Sequence, residues 1–248
     1  MKVIACIPAR YSSTRFPGKV LAKATGKYLI QHTYEKACMA KLPEKVIIAA
    51  DDRKVLDAAM SFGAECVMTS AKHESGTDRI AEAVKEVEAD IIVNVQGDEP
   101  EIDPASIDYI AQLLIDNSDA QMATLATAIT TVEQVMDPNV VKVVLDKAGR
   151  AIYFSRSPIP YDRENPINPK IEHYLRHIGI YAYRMDFLQK YTTLKQTPLE
   201  KTEKLEQLRV IENGFAIMAG IVKQVADGID TPEQYAEFVK RQTTLSKK

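Results

Sequence analysis

Short apolar runs alternate with helical periodicities through the first half of the chain. Val3 to Ile7 predicts a strand, after which Ile30, Tyr34, Ala37 and Cys38 fall on one helix face. Val46 to Ala50 predicts a second strand, Val55, Ala58, Ala59 and Phe62 a second helix, and Cys66 to Met68 a third strand. Ile80, Val84 and Val87 mark the next helix, and Ile91 to Val95 the next strand. Asp103-Pro104 opens a further helix, with Asp103 as N-cap and the proline in the first turn, where its missing N–H has no partner to lose. Continuous apolar strands joined by helices imply a buried parallel sheet with helices on both faces.

Beyond about Thr124 the rhythm changes. Val140 to Asp146 and Ala151 to Ser155, joined through Gly149, predict a hairpin, followed by a proline-rich loop from Ser157 to Lys170. A strand from His177 to Arg184 precedes a short helix. Thr197-Pro198-Leu199-Glu200 caps a helix running to about Glu212, whose core face is Leu205, Leu208 and Ile211, with Glu206 and Gln207 on the other side. Ala216 to Val222 is the last strand, and Asp230-Thr231-Pro232-Glu233 opens the closing helix. The fold class is α/β: a Rossmann-like mixed, mainly parallel sheet with an antiparallel insert. With no repeat or linker-like break, residues 1–248 read as one domain carrying that insert at about 140–190.

Composition narrows the function classes. Hydrophobic residues make up 46% and charged residues 27%, which excludes collagenous and disordered chains. Lys and Arg number 32 against 34 Asp and Glu, so bulk attraction to nucleic acid or anionic membrane is not expected, and any basic site is local. Cys6, Cys38 and Cys66 show no paired spacing and suit buried thiols in a reducing compartment. The run Ile91 to Val95 is far too short to span a bilayer, and the N-terminus lacks signal-peptide anatomy, so a cytoplasmic protein is expected.

In an open parallel sheet the ligand crevice lies beyond the carboxyl ends of the strands. After the first strand, residues 8–19 bring Arg10, Arg15 and Lys19 into one loop among hydroxyl and glycine residues. Three clustered cations repel one another unless an anion joins them, so the loop is either a polyphosphate site or a solvated basic surface. It matches neither the Gly-x4-Gly-Lys-Ser/Thr phosphate loop nor the Gly-x-Gly-x-x-Gly dinucleotide fingerprint. That weighs against a nicotinamide-binding module; a noncatalytic nucleotide binder remains open.

Asp98, in Asn94-Val95-Gln96-Gly97-Asp98-Glu99-Pro100, is either a ligand for a hard cation such as Mg²⁺ or a turn aspartate. At the closing helix, Thr231 and Gln234 already supply a capping box, so Asp230 either binds something or simply favours the helix dipole. Ser75 and Thr77, in His73-Glu74-Ser75-Gly76-Thr77-Asp78-Arg79, either meet a ligand or cap a helix. Arg156, His177 and Arg209 suit an anionic co-substrate; each alone is equally at home in a structural role.

Together with Ile7-Pro8-Ala9-Arg10, Ser13-Thr14-Arg15, Pro17-Gly18-Lys19, Val141 to Asp146, Tyr153-Phe154-Ser155-Arg156, His177-Ile178-Gly179-Ile180-Tyr181, Leu205-Glu206-Gln207-Leu208-Arg209 and Asp230-Thr231-Pro232, these segments resemble the 3-deoxy-manno-octulosonate cytidylyltransferase (CMP-Kdo synthetase) family in order and over nearly the whole chain. The resemblance implies a nucleotide-diphospho-sugar transferase fold and a homodimer formed through the insert. It also implies Mg²⁺-dependent transfer from CTP to Kdo, yielding CMP-Kdo and pyrophosphate for lipopolysaccharide or capsule. A related acid sugar, amino-Kdo or sialic-type, is the alternative acceptor. By position, Arg10, Arg15 and Lys19 would hold the triphosphate, and Pro8, Ala9, Ser75, Gly76 and Arg79 would complete the nucleotide site. Arg10, Lys19 and Asp98 would be catalytic, with Asp98 and Asp230 as the metal ligands. Gln96, Arg156, His177, Tyr181, Glu206 and Gln207 would surround the sugar acid.

Overall fold

The computed structural model describes residues 1–13, 15–166, 169–223 and 228–245. The backbone forms two compact units, Met1–Asp108 with Ala226–Lys248, and Tyr109–Val225. No helix among the described residues is long and apolar enough to cross a membrane.

The first unit is built on β1 (Val3–Ala9), α1 (Leu29–Ala37), β2 (Pro43–Ala50), α2 (Arg53–Ser61), β3 (Glu65–Met68), α3 (Gly76–Ala83), β4 (Ile91–Asn94) and the start of α4 (Pro104–Asp116). Its strands lie in the order β3-β2-β1-β4, all parallel, with Cys6 beside both Ile47 and Asn94. Val3 to Ile7 are at most 1% exposed, as a strand covered on both faces requires. Because the chain winds outward from β1 through β2 to β3 and then returns to β4 on the other side, the winding reverses between β1 and β4. At such a reversal the loops leaving the strands part and open a crevice.

Gly97 lets the backbone after β4 approach the end of β1 closely, because a Cβ there would stand 2.8 Å from the Pro8 carbonyl oxygen and 3.1 Å from Ile30. The closing helix, Pro232–Leu245, returns to the same end. Ile229 N–H donates to the Asp98 carbonyl at 2.8 Å, and Ile229, Tyr235 and Phe238 pack with Leu29 and Phe16. Burying a side chain such as Phe238 contributes ~1.5–3 kcal/mol, enough to hold this distant segment beside the basic loop.

The second unit holds β5 (Met122–Ala128), α5 (Val132–Met136), β6 (Lys142–Leu145), β7 (Ala151–Ser155), β8 (Leu175–Arg184), α6 (Met185–Tyr191), α7 (Pro198–Glu203), α8 (Leu208–Glu212) and β9 (Ile217–Ile221). The expected β6–β7 hairpin forms, with Gly149 at φ 81 in its turn. β5 pairs antiparallel with β8 and parallel with β9, and β6 also pairs antiparallel with β8.

The sequence pattern does not mark β5 or α5, because β5, Met122-Ala-Thr-Leu-Ala-Thr-Ala, carries little β-branched or aromatic signal and is held by its neighbours on both sides. One expectation needs correction. The single helix expected from Thr197 to Glu212 is two, broken at Lys204, which adopts φ 55 and ψ 46. The break lets Arg209 fold back onto Glu200: Nε donates to Oε2 at 2.8 Å and Nη2 to Oε1, both residues being buried. Val210 is consequently buried with Leu208, whereas Ile211 is only partly so.

Candidate functional site

The basic loop is shaped by a few backbone ties. Tyr11 N–H donates to Asp51 Oδ1 at 2.9 Å, and Gly18 N–H to the Tyr11 carbonyl at 3.2 Å. Gly18 sits at φ 68, a left-handed conformation that glycine adopts without steric cost, and starts a 3₁₀ turn over Lys19–Leu21 that carries Lys19 inward. The Lys19 side chain is 9% exposed. Its Nζ donates to Asp98 Oδ2 at 2.8 Å and to Asp230 Oδ1 at 3.2 Å, while Arg15 Nη2 pairs with Asp230 Oδ2 at 3.0 Å.

The Asp230 side chain is free for this because the expected capping box uses only its backbone N–H, which donates to Gln234 Oε1 at 2.7 Å. Gln234 N–H donates to Thr231 Oγ1 at 3.3 Å, and Gln234 Oε1 accepts from Thr231 N–H at 3.0 Å. Asp98 and Asp230 thus share one cation beside the loop of Arg10 and Arg15, so the turn-aspartate and dipole readings are incomplete for both.

Arg79 lies against Asp51. Arg79 is 1% exposed; its Nη1 donates to Thr69 Oγ1 at 2.7 Å and Nη2 to Asp51 Oδ2 at 3.4 Å. Burial, and after it the nearby positive charge of Arg10, act to lower the Arg79 pKa, opposed by Asp51. This residue braces the loop from inside the unit instead of lining its surface. Arg10 Nη2 and Arg79 Nε are buried donors with no acceptor among the described residues. Ser75 caps α3, accepting from Asp78 N–H at 3.0 Å, and Gly76 packs against Pro8, a Cβ at Gly76 falling 3.4 Å from the proline ring. Ala9 is buried at the end of β1, and Gln96 Nε2 donates to Asn94 Oδ1 at 3.3 Å. Asp51, not read from the sequence as functional, follows β2 directly; the same rule that singled out the loop after β1 applies to it.

In the second unit, His177, Tyr181 and Gln207 form one cluster. The His177 and Tyr181 rings lie 5.5 Å apart, and Tyr181 Oη donates to Gln207 Oε1 at 3.5 Å. Gln207 is 3% exposed and its Nε2 is a buried donor without an acceptor. Burial, reinforced by Arg176, pushes the His177 pKa down to about 3, so the ring is neutral. Burial likewise raises the Tyr181 phenol well above its ordinary value, with smaller contributions from Tyr183 and Glu206, which keeps it a hydrogen-bond donor. Arg156 is oriented by Glu203: its N–H donates to Glu203 Oε2 at 2.9 Å, Nε to the Glu203 carbonyl at 2.7 Å, and Nη1 to the Pro138 carbonyl at 2.9 Å. Arg209, also considered for an anion, is bound to Glu200 instead, which raises its pKa. Glu203, like Thr124 below, had no motif to point to it.

A cationic loop set over two carboxylates at the winding reversal of a parallel sheet defines the class of α/β nucleotide-binding enzymes that act on a polyphosphate. The family model described as Cytidylyltransferase matches residues 4–222. The 3-deoxy-manno-octulosonate cytidylyltransferase of Solibacter usitatus is 51% identical over 232 residues, covering 94% of this chain and 91% of that protein. That of Geobacter metallireducens is 48% identical, covering 97% and 98%. A solved CMP:2-keto-3-deoxy-manno-octonic acid synthetase complexed with CTP superposes with a TM-score of 0.92 at 42% identity, covering 98% of this chain and 99% of that one. A cytidylyltransferase from Leptospira borgpetersenii, at 20% identity and TM-score 0.64, shares the fold, covering 96% and 85%. The chain belongs to the 3-deoxy-manno-octulosonate cytidylyltransferase family and is a nucleotidyltransferase.

Proposed function

We propose that this enzyme transfers the cytidylyl group of CTP to Kdo, releasing pyrophosphate and forming CMP-Kdo for a cell-surface polysaccharide. The observation that carries this reading is Lys19 holding Asp98 and Asp230 together beside Arg15, on the loop that also carries Arg10.

Arg10, Arg15 and Lys19 would bind the triphosphate and align its α-phosphorus, with Pro8, Ala9, Ser75 and Gly76 against the nucleoside. A hydroxyl oxygen of Kdo attacks phosphorus, the bond to the β-phosphate bridging oxygen breaks, and the hydroxyl proton passes to solvent. The cations neutralise charge that grows on the departing pyrophosphate; positioning and electrostatics are the protein's main contributions. Gln96, His177, Tyr181, Glu206 and Gln207 would bind the sugar acid, with Arg156 at its carboxylate.

The donor set fits Mg²⁺. Asp98 and Asp230 offer hard oxygens, and among the described residues no third His, Cys, Asp or Glu joins them, which leaves positions for phosphate and water. Bound there, the ion would supply charge neutralisation on the phosphates and ease deprotonation of the attacking hydroxyl. The resemblance also supports a homodimer.

The test is pyrophosphate release measured across nucleoside triphosphates and acid sugars, with and without Mg²⁺. Turnover of CTP with Kdo, dependent on the ion, is expected; turnover only with an amino or sialic-type acid would replace Kdo as acceptor.

A further inference from the structure

Thr124 lies within β5, fully buried, where β8 bulges: one step on β5, from Thr124 to Leu125, spans Tyr181 to Ile178 on β8. Its Oγ1 stands 3.0 Å from the Ile178 carbonyl oxygen, 2.9 Å from that of Ile180 and 3.0 Å from His177 Nε2. A hydroxyl has one proton, and carbonyl oxygens only accept. The proton therefore points at the carbonyls. Turned toward His177, it would leave two carbonyl oxygens facing a hydroxyl lone pair in a buried site, where unpaired polar groups are costly.

We infer that Thr124 is a positioning residue: it accepts from His177 Nε2–H and so fixes the imidazole tautomer, leaving Nδ1 as the ring's acceptor for a hydroxyl of the sugar acid. The ring stays neutral because it is buried, and a neutral imidazole carries only one N–H. Phe154 steadies the ring edge-on, at 4.9 Å and 76°. The tautomer rests on the hydroxyl geometry and on the buried ring's neutrality; the role toward substrate rests on the proposed function.

Histidine-selective ¹⁵N labelling of the full chain, read in long-range ¹H–¹⁵N spectra at neutral pH without substrate, tests the tautomer. A protonated Nε2 and bare Nδ1 are expected for His177 in the parent and in Thr124→Ser, with the preference lost in Thr124→Val; a parent ring protonated on Nδ1 overturns the inference. In kinetics, Thr124→Val is expected to raise KM for Kdo roughly three- to tenfold while KM for CTP holds and Thr124→Ser stays near parent. An unchanged KM for Kdo in Thr124→Val would overturn the positioning role. If Thr124→Val fails to fold, Thr124→Ala takes its place in both measurements with the same expected and overturning results, and the parent spectrum decides the tautomer. A parent enzyme inactive on Kdo defeats the proposed acceptor and leaves the spectrum to decide the tautomer.

Discussion

Lys19 and Asp98, 79 positions apart in the chain, meet at 2.8 Å, and the same ammonium reaches Asp230, 211 positions away, at 3.2 Å. One cation thereby holds together two carboxylates that would otherwise repel each other. Lys19→Met is expected to lower kcat/KM for CTP at least ~100-fold, the scale of losing one charge-stabilising group. Stability should change by only about 1 kcal/mol, because both carboxylates are partly solvated. Pyrophosphate release and thermal melting measure the two effects.

Asp98→Asn and Asp230→Asn should each abolish Mg²⁺-dependent pyrophosphate release while circular dichroism stays that of the parent. Release at the parent rate in either variant would remove that residue from the metal set.

Gly97→Ala drives a methyl group to 2.8 Å from the Pro8 carbonyl oxygen, a backbone atom that cannot swing aside. Overpacking of this kind costs ~1–3 kcal/mol, and here it displaces the start of the cationic loop. A rise in KM for CTP together with a lower melting temperature is the expected result.

Glu200 holds Arg209 through two charge-assisted hydrogen bonds and also accepts from Thr197 N–H at 3.2 Å. Glu200→Gln leaves a buried guanidinium without its counter-charge, which costs ~3–5 kcal/mol. For a chain of this length that corresponds to a melting temperature lower by on the order of 10 °C.

His177 contributes a pH dependence with a definite sign. Its folded pKa, pushed down to about 3 by burial and then by Arg176, lies below the ordinary value of 6.5, so the unfolded chain binds the extra proton between those limits. Stability from this residue is fully present above pH 6.5 and is lost as pH falls toward 3, by up to ~1.4 kcal/mol per pH unit. Urea unfolding across that range should show the slope, and His177→Gln should flatten it.

The chain's own pattern determined much of the first unit. Continuous apolar strands can be buried only in a sheet covered on both faces, so β1 to β4 and their parallel arrangement are legible, as is the end of the sheet that carries the basic loop, while their order β3-β2-β1-β4 is not. The capping box at Thr231 and Gln234 is a local motif, legible in the sequence, and it leaves the Asp230 side chain unneeded by the cap. Tertiary structure alone decided the rest, because those outcomes depend on contacts between segments far apart in the chain. It broke the Thr197–Glu212 helix at Lys204 so that Glu200 meets Arg209, drew Arg79 inside against Asp51, made a strand of the weakly patterned β5, and set the Thr124 hydroxyl against His177. Helix and strand periodicity record how a residue relates to its near neighbours; which partner fills a buried hydrogen bond is settled only when each unit packs its own core.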